Sequence, residues 1–109
     1  TERLIIEDAW FKTTNTVRLT VTNVGKIDVQ IRYVQFKEEM AWEALTSLTI
    51  SYNPITETTT TLTTTSLVNV PIGKTLNLYV AFGWESGEDY RIRVITDRGN
   101  RFEAVFVSP

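Results

Sequence analysis

Apolar and polar residues alternate strictly through three stretches of this chain: Val17-Arg18-Leu19-Thr20-Val21-Thr22, Leu76-Asn77-Leu78-Tyr79-Val80-Ala81-Phe82 and Tyr90-Arg91-Ile92-Arg93-Val94. A period of two sends successive side chains to opposite faces of an extended backbone, so each stretch reads as a strand with one face in a core and the other in water. Noisier runs of the same kind occupy residues 3–11, 27–36, 48–52, 67–70 and 101–107, which brings the expected number of strands to about eight. Between them, Thr13-Thr14-Asn15-Thr16, Asn23-Val24-Gly25-Lys26 and Asp97-Arg98-Gly99-Asn100 place Asn, Asp or Gly where a tight hairpin needs positive φ. Consecutive strands are therefore expected to be antiparallel. Pro71-Ile72-Gly73-Lys74 and Glu85-Ser86-Gly87-Glu88-Asp89 supply the turns on either side of the Leu76–Phe82 strand.

Two segments break the alternation. Residues 37–45, Lys-Glu-Glu-Met-Ala-Trp-Glu-Ala-Leu, are rich in helix formers and predict one or two helical turns with Met40 and Ala44 on one face and Trp42 pointing elsewhere. Residues 53–66 hold a threonine run, Thr56 and Thr58 to Thr65 broken only by Glu57 and Leu62, whose β-branched side chains suit an extended edge strand or a solvated loop but cannot build a core. The pattern as a whole predicts an all-β, immunoglobulin-like antiparallel sandwich of about eight strands with one short helical or irregular insert. The 109 residues have no internal repeat or linker and are expected to form one domain over 1–109.

Composition narrows the chemistry. The chain has no His and no Cys, which removes the imidazole base, the thiolate nucleophile and the nitrogen and sulfur ligands of zinc, copper and haem sites. No cofactor is expected. Eleven Lys and Arg against thirteen Asp and Glu leave a net charge of -2 with the cations interleaved among acids, which argues against nucleic acid as a partner. None of the six asparagines begins an N-glycosylation sequon, although the threonine run could carry O-linked sugar.

The remaining acid–base groups are carboxylates. Glu7 and Asp8 are adjacent in a strand and so point to opposite faces, which excludes them as a glycosidase-like pair. Glu85, Glu88 and Asp89 put oxygen ligands on a turn, as calcium prefers, but without the ligand spacing of an EF-hand loop. Trp10 and Trp84 are expected in the core or at its edge, where large rings offset the lack of disulfides. Met40 with Trp42, in the irregular segment, reads as a contact surface, and Arg91 and Arg93 on the polar phase of their strand read as a docking face for an acidic partner. Their bland alternative is a solvated face of cross-strand ion pairs.

Val21-Thr22-Asn23-Val24-Gly25 followed by a strand resembles a turn of Ig-like modules on microbial surface proteins. The stretch Phe82-Gly83-Trp84-Glu85-Ser86-Gly87-Glu88-Asp89-Tyr90-Arg91-Ile92-Arg93-Val94, continuing to Phe102, resembles the closing hairpins of archaeal type IV pilin-like and archaellum-associated proteins. The resemblance implies a non-enzymatic extracytoplasmic domain at the cell surface. Its partners would be protein, through self-assembly or contact with cell-envelope or S-layer protein, in a filament or its anchoring. It also implies a membrane anchor ahead of Thr1, as expected if these residues are the soluble part of a longer chain. Two other classes compete: a carbohydrate-binding or accessory module of a secreted enzyme, with Trp42, Trp84 and Tyr52 as platform rings, and a hydrolase using carboxylates alone.

Overall fold

A computed structural model describes the backbone of residues 1–13, 16–38, 41–44, 47–51, 59–63 and 67–109, and the side chains of 1–12, 16–36, 67–80 and 82–109. The described residues contain ten strands and no helix: β1 Leu4–Thr13, β2 Thr16–Asn23, β3 Val29–Glu38, β4 Ala41–Ala44, β5 Ser47–Ser51, β6 Thr59–Thr63, β7 Val68–Val70, β8 Thr75–Ala81, β9 Asp89–Thr96 and β10 Arg101–Val107. They form two antiparallel sheets. The first has the order β1-β2-β8-β5-β6 and the second β10-β9-β3-β4, with β7 paired to the start of β3.

The inward phases of the strict alternators meet between the sheets. Val17, Leu19 and Val21 of β2 and Leu76, Leu78 and Val80 of β8 come from one side; Tyr90, Ile92 and Val94 of β9 come from the other, all fully buried. In two strands the inward phase switches partway. Leu4 and Ile6 are buried at even positions of β1, but after a register shift between Ile6 and Asp8 the inward residues are Ala9 and Phe11. In β3 a shift between Ile31 and Tyr33 moves the buried set from Val29 and Ile31 to Val34 and Phe36. A bulge inserts one residue and flips every later side chain, which is why these runs look irregular in sequence. Aromatic rings close one end of the core: Phe36 stacks on Phe82 at 4.2 Å, Phe82 meets Tyr90 edge-on at 5.4 Å, and Phe11 meets Trp84 edge-on at 5.2 Å.

Several expectations change here. Of the residues expected as helical turns, Lys37 and Glu38 continue β3 and Ala41–Ala44 form β4, paired antiparallel to Gln35–Glu38, while 39, 40 and 45 lie outside the described residues. Pairing to a sheet overrides the helix propensity of Lys, Glu and Ala. Part of the threonine run forms the edge strand β6 against β5. Consecutive strands pair across β1–β2, β3–β4, β5–β6 and β9–β10, but β2–β3, β7–β8 and β8–β9 are crossings between sheets. Gly99, at φ 88°, serves the β9–β10 hairpin as expected. Gly25 does not serve a hairpin: a Cβ there would lie 2.9 Å from both the Arg3 nitrogen and the Thr1 oxygen, so it is the close passage of the N-terminal segment that requires glycine.

Asn23 organises that crossing. Fully buried at the end of β2, its Nδ2 donates to the Ile27 and Val70 carbonyls, each at 2.9 Å, and its Oδ1 accepts from the Gly25 amide at 2.9 Å. Its own backbone pairs with Lys74 and Gly73. One side chain thus ties the end of the first sheet to the β2–β3 crossing and to β7 of the second.

Candidate protein-contact surfaces

The outer face of the first sheet carries a row of cross-strand neighbours, Trp10 on β1, Arg18 on β2 and Tyr79 on β8. Trp10 is 48% exposed, contrary to its expected place in the core or at its edge. The bulge after Ile6 accounts for this, because it assigns Ala9 and Phe11 to the inward phase and turns Trp10 outward. Cations occupy the exposed rings: the Arg18 guanidinium lies 4.4 Å from the Trp10 centroid, and the Lys12 ammonium lies 5.1 Å from both Trp10 and Tyr79. Such contacts are worth about 0.5–1 kcal/mol each at exposed sites and leave the Trp10 ring engaged with its own chain. Trp84, by contrast, is half-buried against Phe11 at the core edge, as expected, and so is not a flat platform for sugar.

On the outer face of the second sheet, Arg93 bonds its register partner Glu103 at 2.7 Å, and Arg91 lies exposed opposite Val105. Register places Arg91, Lys37 and Trp42 in one row across β9, β3 and β4, so Arg91 and Trp42 stand on the two strands that flank β3. The side chain of Trp42 and the whole of Met40 and Tyr52 lie outside the described residues. At the sandwich end, Arg32 donates twice to Asp97 Oδ1, at 2.9 and 2.7 Å, and these bonds raise its pKa above the usual guanidinium range. Beside them is a cavity of about 250 Å³ lined by Glu2, Asp28, Gln30, Asn69, Asp97 and Arg98. The buried Glu2 carboxylate accepts from Thr96 Oγ1 and Asn100 Nδ2 at 2.6 and 2.7 Å.

Glu85, Glu88 and Asp89 sit on the β8–β9 crossing with their side chains in solvent, and among the described residues no three acidic groups converge on a metal-sized site. That loop is held through its backbone. The Glu85 amide donates to the Tyr90 hydroxyl at 2.7 Å, the Glu88 amide to Ser108 Oγ at 2.9 Å, and the Gly87 amide to the Pro109 carbonyl at 3.0 Å. Glu7 and Asp8, expected on opposite faces, are both exposed at the bulge.

The two described edge strands on one side of the sandwich differ. β1 is twice bulged and carries exposed Glu7, Asp8 and Lys12, features that deter pairing with another chain. β10 pairs β9 without a register shift and carries the two most exposed large apolar side chains among the described residues, Val105 at 56% and Val107 at 65%. Sequence reasoning missed this edge, although the signal was present: in Arg101-Phe102-Glu103-Ala104-Val105-Phe106-Val107 the outward phase turns from charged to apolar at Val105.

No family model and no curated protein matches the chain. Solved structures do. The chain is similar to the archaellum periplasmic stator protein FlaG from Sulfolobus acidocaldarius, with a TM-score of 0.73 and 17% identity over 97% of this chain and 100% of that one. It is also similar to a chain in the complex of the stator proteins FlaF and FlaG from the same organism, with a TM-score of 0.66 and 18% identity over 94% and 87% of the two chains. At these identities the likeness establishes a shared β-sandwich fold.

Proposed function

We propose that this chain is a non-enzymatic, extracytoplasmic β-sandwich of an archaellum-type surface machine, working by protein–protein contact as a stator or envelope-anchoring component. The observation that carries the reading is the end-to-end likeness to FlaG, which spans this chain and that one almost completely. Its FlaF–FlaG counterpart supports a protein as the partner. The sequence agrees with it: without His or Cys, the domain offers surfaces instead of nucleophiles. Cell-envelope or S-layer protein and a second copy are the partners this role would require.

Fractionation of the source cells, with protease applied to intact cells and affinity capture of the tagged protein, tests the proposal. The expected result is protein in the envelope fraction, accessible from outside, that captures a defined envelope protein. Recovery in the cytosol, or capture of a soluble metabolic enzyme at stoichiometry, would overturn it. Of the three rings the carbohydrate-binding alternative needs, only the Trp84 side chain lies among the described residues, and it is packed on Phe11.

A further inference from the structure

The free edge of β10 has a defined hydrogen-bonding phase. Thr96 N donates to Asn100 O and Ser108 N donates to Glu88 O, both in the β9–β10 register. Antiparallel ladders alternate, so the even residues of β10 bond β9, and Arg101, Glu103, Val105 and Val107 turn their N–H and C=O groups outward. Among the described strands none but β9 hydrogen-bonds β10, although β1, at the edge of the first sheet, packs beside it. The same four residues carry the exposed side chains, while Phe102, Ala104 and Phe106 are half-buried against the core.

We infer that β10 is a pairing edge for a second copy of this chain, joined antiparallel about a two-fold axis at Ala104. This deepens the protein-contact reading and rests on it. The occupant follows from self-complementarity. With Ala104 opposite its own copy, Arg101 meets Val107 and Glu103 meets Val105, so every outward N–H and C=O of the four odd residues finds a partner, in about eight bonds across the pair. Phe102 meets Phe106 twice on the inner face, extending the core layer across the axis. No like charges stand directly opposite, and Glu103 is already bonded to Arg93. Other registers do worse. An axis at Glu103 opposes two carboxylates, an axis at Val105 sets Arg101 against Pro109, which has no N–H, and an axis at Phe102 drives the Asp97–Asn100 turn into the partner strand.

The test uses the absence of native cysteine. Ala104 would face its copy as a non-hydrogen-bonded pair with Cα atoms about 4.5 Å apart, within disulfide range. Ala104→Cys should therefore give a specific covalent dimer on mild oxidation, and the wild-type chain a concentration-dependent dimer by sedimentation. Val105→Pro removes one outward N–H without touching the β9 ladder. Added to Ala104→Cys, it should lower cross-linking at least about tenfold while the melting temperature stays near that of the parent. A monomer at all concentrations with no cross-link, or a dimer indifferent to Val105→Pro, would overturn the β10 edge. Envelope-protein capture by the Val105→Pro chain separates the two readings, because it should persist if only this edge is wrong and disappear for wild type and variant alike if the contact function is wrong.

Discussion

Replacing Asn23 by Ala should destabilise the domain more than any other single polar substitution outside the hydrophobic core. The side chain makes three hydrogen bonds of 2.9 Å, two donated to carbonyls and one accepted from the Gly25 amide. Val70 is fully buried, so its carbonyl loses a partner that water cannot replace, at about 1–3 kcal/mol. The bonds to Ile27 and Gly25 are part-buried and contribute about 1 kcal/mol each. The sum, about 3–5 kcal/mol, is a large fraction of the roughly 5–15 kcal/mol expected for a domain of this size, and corresponds to a fall in melting temperature of about 15 °C or more. Circular dichroism melts and urea titrations measure it. The companion Asn23→Asp is isosteric but aims carboxylate oxygen at two carbonyls, which raises its folded-state pKa. Its unfolded state ionises near pH 3.9 while the folded state holds the proton. The deficit against wild type should therefore grow as pH rises above about 4 and level off once the folded-state pKa is passed. An Ala variant melting within about 3 °C of wild type, or an Asp deficit independent of pH, would refute the idea that this side chain joins the sheets.

Gly25→Ala should cost about 2 kcal/mol or more, read by the same melts, because its Cβ meets backbone atoms of Arg3 and Thr1 that cannot rotate away. Phe82→Ala removes the ring stacked on Phe36 and edge-on to Tyr90 and should cost about 3–5 kcal/mol in urea titration. A double-mutant cycle on Arg93 and Glu103 should return a coupling of about 0.5–1 kcal/mol that shrinks in 1 M salt, as for a partly exposed pair.

The alternation in β2, β8 and β9 survives intact in the structure because these central strands carry no inserted residue of their own: the shifts in the β1–β2 and β3–β9 pairings fall on β1 and β3. β1 and β3 were harder to read. Each is bulged, and an inserted residue reverses the inward phase with no local marker in the sequence; this is how Trp10, expected in the core or at its edge, comes to face outward. The hairpin at Asp97–Asn100 was readable from its glycine, whereas the chemically similar turns at Asn23–Lys26 and Glu85–Asp89 carry the chain from one sheet to the other. Turn residues specify local backbone angles, and nothing local distinguishes a return within a sheet from a crossing between two. Among the candidate contact residues, Arg91 and Arg93 occupy the outer face their strand phase predicts, and Arg93 is spoken for by Glu103. The open edge at Val105 and Val107 was written in the composition of β10, but its exposure depends on β10 being the last strand of its sheet.

The sequence by itself determined that this protein is an all-β sandwich, since side-chain alternation is a property of each strand alone. It also determined that these 109 residues supply no imidazole and no thiolate group. The tertiary structure alone decided the strand order, the drawing of residues 41–44 and 59–63 into the sheets, and the bonding of the Asn23 side chain to the Val70 carbonyl, far from its own turn. It also decided which edge is bulged and charged and which is regular and apolar. Those features depend on which strands become neighbours, and neighbourhood is set by long-range burial and hydrogen bonding between segments that share no local pattern.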